Sequence, residues 1–143
     1  MKPEIEKTIK LEGGWVNDPT DTGGETKYGI SKTFNPDVDI KNLTPEGAEK
    51  IYLERYWTPL NLDRYHDIRF RWKLFDIAVN QGVGTAKNFR DSLGMIDCTQ
   101  AIVDLCRMQM KRYVEKVIAQ PVKLKYLRGW TNRAFETGED LVA

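Results

Sequence analysis

The chain has 143 residues, enough for one domain, or one domain with a small appendage, and for a core that needs no disulfide or metal staple. Its 22 basic and 21 acidic residues leave a net charge of +1, which excludes the global basic field of a nucleic-acid binder. Charged residues at 30% and hydrophobic residues at 41% are ordinary for a globular chain. The apolar runs are too short to span a bilayer. The opening Met1-Lys2-Pro3-Glu4-Ile5-Glu6-Lys7 lacks the apolar core of a secretory signal. Cys98 and Cys106 on one helix would be separated by about 12 Å of rise, too far for a disulfide, so both are expected reduced and mostly buried. With His66 as the single histidine and no Cys-x-x-Cys pattern, neither a metal site nor a cofactor is expected.

Taken in order, Pro3 to Leu11 reads as a helix, with Pro3 in its first turn and Glu4 and Glu6 suited to its dipole. Ile5, Thr8, Ile9 and Glu12 recur at i, i+3, i+4 and i+7 and so share a face. Gly13-Gly14 is the stop. Residues 15 to 43 are rich in turn signals, with a short strand expected within Lys27 to Ser31. Thr44-Pro45-Glu46 starts a helix that Pro59 should end. Asp67 caps the next helix, whose stripe is Ile68, Trp72, Phe75 and Val79 and whose end is Gln81-Gly82. A shorter helix spans about Thr85 to Leu93. Asp97 then caps a long one to about Ala119, with Ala101, Ile102, Leu105, Cys106, Met110, Tyr113, Val114 and Val117 inward. A last amphipathic segment runs from about Lys123 to Glu136, with Leu124, Leu127, Trp130 and Phe135 inward. Gly129 inside it costs roughly 1 kcal/mol relative to Ala and hints at close packing. The fold class is mainly α, with a small β or irregular hairpin near the N-terminus. Composition shifts near residues 82 to 85.

Residues 12 to 31 hold five of the eleven glycines, four carboxylates and little aliphatic bulk. Such a stretch is a chain path bent to gather polar groups. Hydrolysis of a glycosidic bond needs one carboxylic acid still protonated near neutral pH and usually a second that stays ionised. Glu12 suits the acid: the apolar face and the helix C-terminus both disfavour its charge. Periodicity alone leaves open that it is a surface carboxylate before a Gly-Gly stop. Asp18, Asp21 and Glu25 are candidates for the second group. Asp21 lies in polar surroundings, Asp18 suits an Asx-turn better, and Thr26 is placed to orient a water. Trp15 and Tyr28 are the first candidates to meet a sugar face, and Trp57 the next. Asn80 and Gln81 either hold an N-acetyl group or cap their helix. Trp72, Tyr52 and Tyr56 read as packing residues, and His66 as an ordinary loop residue.

The run from Glu12 to Ser31 resembles the signature of the N-acetylmuramidases of glycoside hydrolase family 108: Glu-Gly-Gly-aromatic-Val-Asn-Asp-Pro, then Asp-x-Gly-Gly-Glu-Thr, then Gly-Ile-Ser. Phe75 to Gly82 and Leu127 to Arg133 are similar to the family's later blocks, the latter within what resembles a peptidoglycan-binding domain. The resemblance implies a lysozyme-like, mainly α fold and cleavage of the β-1,4 bond between N-acetylmuramic acid and N-acetylglucosamine, with Glu12 as catalytic glutamate. Phage-type lysozymes are more distantly similar. They place Asp eight residues after the Glu, as Asp21 stands here, and then Thr after five more, whereas Thr26 comes one residue early. Asp21 as partner and Thr26 as helper follow from that likeness.

These readings divide the chain into a catalytic part, 1–83, and a helical part resembling a peptidoglycan-binding domain, 84–143, packed together. Lys123, Lys125, Arg128 and Arg133 form either a solvated face or an attraction for the anionic wall. The expected partner is the glycan strand of peptidoglycan, with neither nucleic acid nor stable membrane insertion. The expected place of action is the cell wall, after cytoplasmic synthesis and release with a holin-type export partner. Two alternatives differ in product: a lytic transglycosylase, which leaves anhydro ends, and a non-catalytic wall-binding or secretion-accessory protein, which releases nothing.

Overall fold

A computed structural model of the chain describes residues 1–17, 24–94 and 98–142. The chain divides into two compact units, Met1–Pro59 and Leu60–Ala143. Helix is the dominant structure in both, and the one sheet among the described residues has two short strands.

The first unit begins with α1 (Pro3–Glu12), which buries Ile5, Thr8 and Ile9 on the expected face. Gly13, at φ +74°, ends it and donates its N–H to the Ile9 carbonyl. The small hairpin expected near the N-terminus is present, and it takes the place of the single strand expected within Lys27 to Ser31: β1 (Thr26–Lys27) pairs antiparallel with β2 (Ile30–Ser31). The two-residue turn Tyr28-Gly29 has φ +53° and +77°, the positive values that a primed turn needs at both centres. Tyrosine is an unusual occupant of that conformation, so no dipeptide signal marked the turn. Val16 adds a bridge on the other edge of β1, exchanging two 2.8 Å hydrogen bonds with Thr26.

Helix α2 (Pro45–Tyr52) starts as its sequence dictates, with the Thr44 hydroxyl accepting from the Gly47 N–H at 3.1 Å. It packs against α1. Helix then runs to Leu60, one residue past the end expected at Pro59, but its winding changes on the way: a π-helical stretch Leu53–Trp57 is followed by a turn α3 (Thr58–Leu60). The wider winding bonds the Thr58 N–H to Leu53, and Pro59, which has no N–H to give, is accommodated in the following turn.

The second unit is built on α4 (Ile68–Gln81), capped by Asp67, whose carboxylate accepts from the Arg69 N–H at 2.9 Å. Phe70 and every residue from Trp72 to Ala78 are buried, so the helix is enclosed rather than striped. α5 (Val83–Ser92) and α6 (Thr99–Ala119) pack on it, and α7 (Leu127–Phe135) packs on α6. The composition shift at 82 to 85 thus falls between two packed helices of this unit. Asp97, the expected cap of α6, lies outside the described residues. Cys106 is buried, but Cys98, at the exposed start of α6, is not.

The last segment departs from the expected stripe. Residues Pro121–Tyr126 form a 3₁₀ helix before α7 begins. The change from three to 3.6 residues per turn resets the face, leaving Leu124 at 61% and Phe135 at 59% exposure. Ala134 is the buried position of α7. Gly129 is open rather than tightly packed: an added Cβ would meet nothing within 4 Å.

Two buried charges hold this unit together. Lys73 donates to the carbonyls of Arg133, Ala134 and Glu136 at 3.0, 2.8 and 3.0 Å, capping the end of α7. Burial pushes its pKa down, with Asp76 opposing. Asp76 in turn accepts from Arg133 Nε at 2.8 Å, Gln109 Nε2 at 3.1 Å and Asn80 Nδ2 at 3.2 Å.

Candidate active site

The candidate site gathers where the C-terminus of α1 meets the hairpin. Glu12 is the last residue of α1 and is half-buried. The hairpin turn lies against it: the Tyr28 N–H donates to the Gly13 carbonyl at 3.2 Å. Gly29 comes so close that a Cβ there would stand 2.8 Å from Glu12 Cγ and 3.2 Å from its Cβ. Only glycine provides both that approach and its φ of +77° without strain. The stem of Glu12 is thus walled by backbone.

Around it, Trp15 is 47% exposed, and its indole Nε1 donates to Glu25 Oε1 at 2.7 Å. Glu25, one of the three candidates for second carboxylate, is therefore engaged in orienting an exposed ring. Asp18 and Asp21 lie outside the described residues. Thr26 stands on β1, half-buried, and its hydroxyl donates to the Gly24 carbonyl at 3.3 Å. Its lone pairs are left to accept from a donor such as water. Tyr28 is half-buried at the turn, with Lys27 Nζ 5.5 Å from its ring centroid.

Two further expectations fare differently. Trp57 does not offer a face to a sugar: it is 2% exposed, with Lys2 Nζ lying 4.9 Å from its ring centroid. Its place on the π-helical stretch turns the indole into the unit's interior, a consequence of winding that a 3.6-residue period does not foresee. Asn80 and Gln81 belong to the second unit, and their amide nitrogens are engaged there. Asn80 Nδ2 donates to the Asp76 carbonyl at 2.8 Å, and Gln81 Nε2 donates to the Gln109 carbonyl at 3.3 Å.

Sequence reasoning missed the part played by Tyr52. Its ring packs at 5.5 Å from that of Tyr56, as a packing residue should. Its hydroxyl also reaches across to the Tyr28 carbonyl at 2.7 Å. A tyrosine at helical spacing carries no local signal of such a bond. Among the described residues no cluster of three or more His, Cys, Asp or Glu could hold a metal ion, and no helix is long and apolar enough to cross a membrane.

The solved structure of Brucella abortus SagA is similar to this chain in fold, with a TM-score of 0.67 at 21% identity, covering 97% of this chain and 95% of that one. No curated protein matches. The family model described as glycosyl hydrolase 108 matches residues 5–82, which hold the Glu12 end of α1, the hairpin, α2 and α4. With more than half its length so matched, the chain belongs to glycosyl hydrolase family 108.

Proposed function

We propose that the chain, a peptidoglycan hydrolase of the glycosidase class by its family, cleaves the β-1,4 bond between N-acetylmuramic acid and N-acetylglucosamine. The observation that carries the reading is the placement of Glu12: a carboxylic acid at a helix end, half-buried, with its stem held between α1 and the Gly29 backbone. A general acid must be held where the leaving oxygen will sit, and a walled stem supplies that orientation before substrate arrives. In this reading Glu12 donates its proton to the glycosidic oxygen as the bond to the anomeric carbon breaks. Asp21 is the ionised partner that faces the developing oxocarbenium charge, Thr26 accepts a hydrogen bond from the attacking water, and the proton that water loses as its oxygen bonds to the anomeric carbon passes to the Asp21 carboxylate. Trp15, whose exposed ring is fixed by Glu25, and Tyr28 supply sugar-facing surfaces. Asn80 and Gln81 hold no sugar in this scheme unless they exchange the bonds described above.

The same reading assigns residues 1–83 to catalysis and 84–143 to holding the chain on murein. It places the action at the cell wall after release through a holin-type partner. The deciding experiment incubates purified peptidoglycan with wild type, Glu12→Gln and Asp21→Asn and identifies the ends by mass spectrometry. Wild type should release fragments with reducing N-acetylmuramic acid ends, and Glu12→Gln should release none. Anhydro ends, or equal activity of Glu12→Gln, would overturn the assignment.

A further inference from the structure

We propose that Tyr52 is a positioning residue for the reaction, fixing the backbone wall against which Glu12 is held. The inference rests on the reading of Glu12 as the acid. Tyr52 lies at the end of α2, fully buried, and its hydroxyl donates to the Tyr28 carbonyl at 2.7 Å. The Tyr28 N–H donates on the opposite side, to Gly13 at the end of α1. Both polar groups of this one peptide-bearing residue are therefore spent outside the hairpin, tying the turn to α1 and to α2 at once. The following residue, Gly29, shows how closely the three elements converge. A Cβ on it would stand 2.5 Å from Tyr52 Oη and 2.8 Å from Glu12 Cγ. The tyrosine hydroxyl and the glutamate stem thus flank the same glycine, and neither would tolerate a side chain there.

The consequence is for the freedom of Glu12. A glutamate side chain on a helix end samples several rotamers, and restricting it before substrate binds removes that entropy from the barrier. The wall at Gly29 restricts it only while the turn stays seated. The turn carries a tyrosine at φ +53°, a conformation that non-glycine residues hold only when their surroundings enforce it. The Tyr52 hydroxyl enforces it together with the Tyr28 N–H bond to Gly13 and the Lys27–Ile30 pair that closes the turn. Its removal leaves the Tyr28 carbonyl without that donor, and the turn can back away from Glu12.

The test is steady-state kinetics on solubilised glycan strands with Tyr52→Phe, which keeps the ring and removes one atom. The expected result is a fall in kcat of about tenfold, the loss of one fixed side-chain orientation, with KM within about twofold because no sugar contact is touched. Ala48→Gly is the control: it is fully buried on α2, one turn before Tyr52, and weakens the helix while leaving the Tyr52 hydroxyl in place. Measured well below both melting temperatures, it should keep the wild-type kcat. A second variant with 4-aminophenylalanine at position 52 returns an N–H donor to the same ring and should recover kcat to within about threefold. It also carries the test if Tyr52→Phe does not fold. A wild-type kcat in Tyr52→Phe, an equal fall in Ala48→Gly, or no recovery with the amino analogue would overturn the inference. Those outcomes presuppose an active wild type and an inactive Glu12→Gln. An inactive wild type, or an active Glu12→Gln, is instead the failure of the reading beneath it.

Discussion

Replacing Lys73 by methionine is the sharpest test of how the second unit is held. Methionine keeps the length and most of the volume of the lysine stem but has no proton to donate. In the wild type the three ammonium bonds run to the carbonyls of Arg133, Ala134 and Glu136 at the end of α7, where the Arg133 carbonyl also accepts from the Glu136 N–H at 3.2 Å. The buried Ala134 carbonyl losing that donor costs at least about 1 kcal/mol, and the half-buried Arg133 and Glu136 carbonyls, which water can reach, cost less. Against this stands the desolvation of the ammonium, which burial already opposes and which the substitution relieves. The acceptors prevail because the ammonium's proximity to Asp76 is lost as well, and the net destabilisation should be about 2–4 kcal/mol. For a chain of this size that corresponds to a fall of roughly 5–15 °C in Tm. Urea and thermal unfolding followed by far-UV circular dichroism measure it, with Lys111→Met as control. That lysine is 80% exposed, with Glu115 at 4.0 Å, and its loss should stay within about 0.5 kcal/mol. Equal stability of Lys73→Met and wild type would refute the view that this ammonium holds the end of α7.

Two further outcomes are expected. Arg69 holds the Asp67 carboxyl below its ordinary pKa, through a 2.7 Å bond to the guanidinium. The folded chain therefore binds fewer protons at this site than the unfolded chain, and the stabilisation is complete above the unfolded pKa near 3.9 and lost as pH falls through the folded value. Asp67→Asn keeps the helix cap and removes the charge, so it should be less stable than wild type by about 1–2 kcal/mol at pH 7. That gap should close on acidification below about pH 4, and a gap independent of pH in urea titrations would refute the linkage. Gly129→Ala should raise stability by up to about 1 kcal/mol and Tm by about 2–4 °C, because a Cβ there meets nothing within 4 Å. A lowered Tm in a thermal scan would show that the glycine serves some contact of α7.

The helices were legible because their signals are local. Thr44-Pro45 and Asp67 mark their starts through bonds to N–H groups two or three residues on, and Gly13 and Gly82 end the helices before them. The 3.6-residue period that put Ile5, Thr8 and Ile9 on one face needs nothing beyond one turn of backbone. The Glu12 to Ser31 run was legible as chemistry for a related reason: its carboxylates, glycines and aromatics are near one another in the chain already. Where winding changed, the period misled. The π-helical stretch sent Trp57 inward, and the 3₁₀ helix before α7 turned Leu124 outward.

The amino-acid sequence by itself determined the mainly α class, most helix boundaries, and Glu12 as the candidate acid at the end of α1. Only the tertiary structure decided that the chain doubles back at Tyr28-Gly29, that Gly29 walls the stem of Glu12, and that Lys73 is buried. The physical reason is separation along the chain. The Tyr52 hydroxyl meets a carbonyl 24 residues earlier, and Lys73 meets one 61 residues later. A tyrosine or a lysine has the same local pattern whether its polar atom ends in water or on a distant carbonyl, and packing alone selects between them.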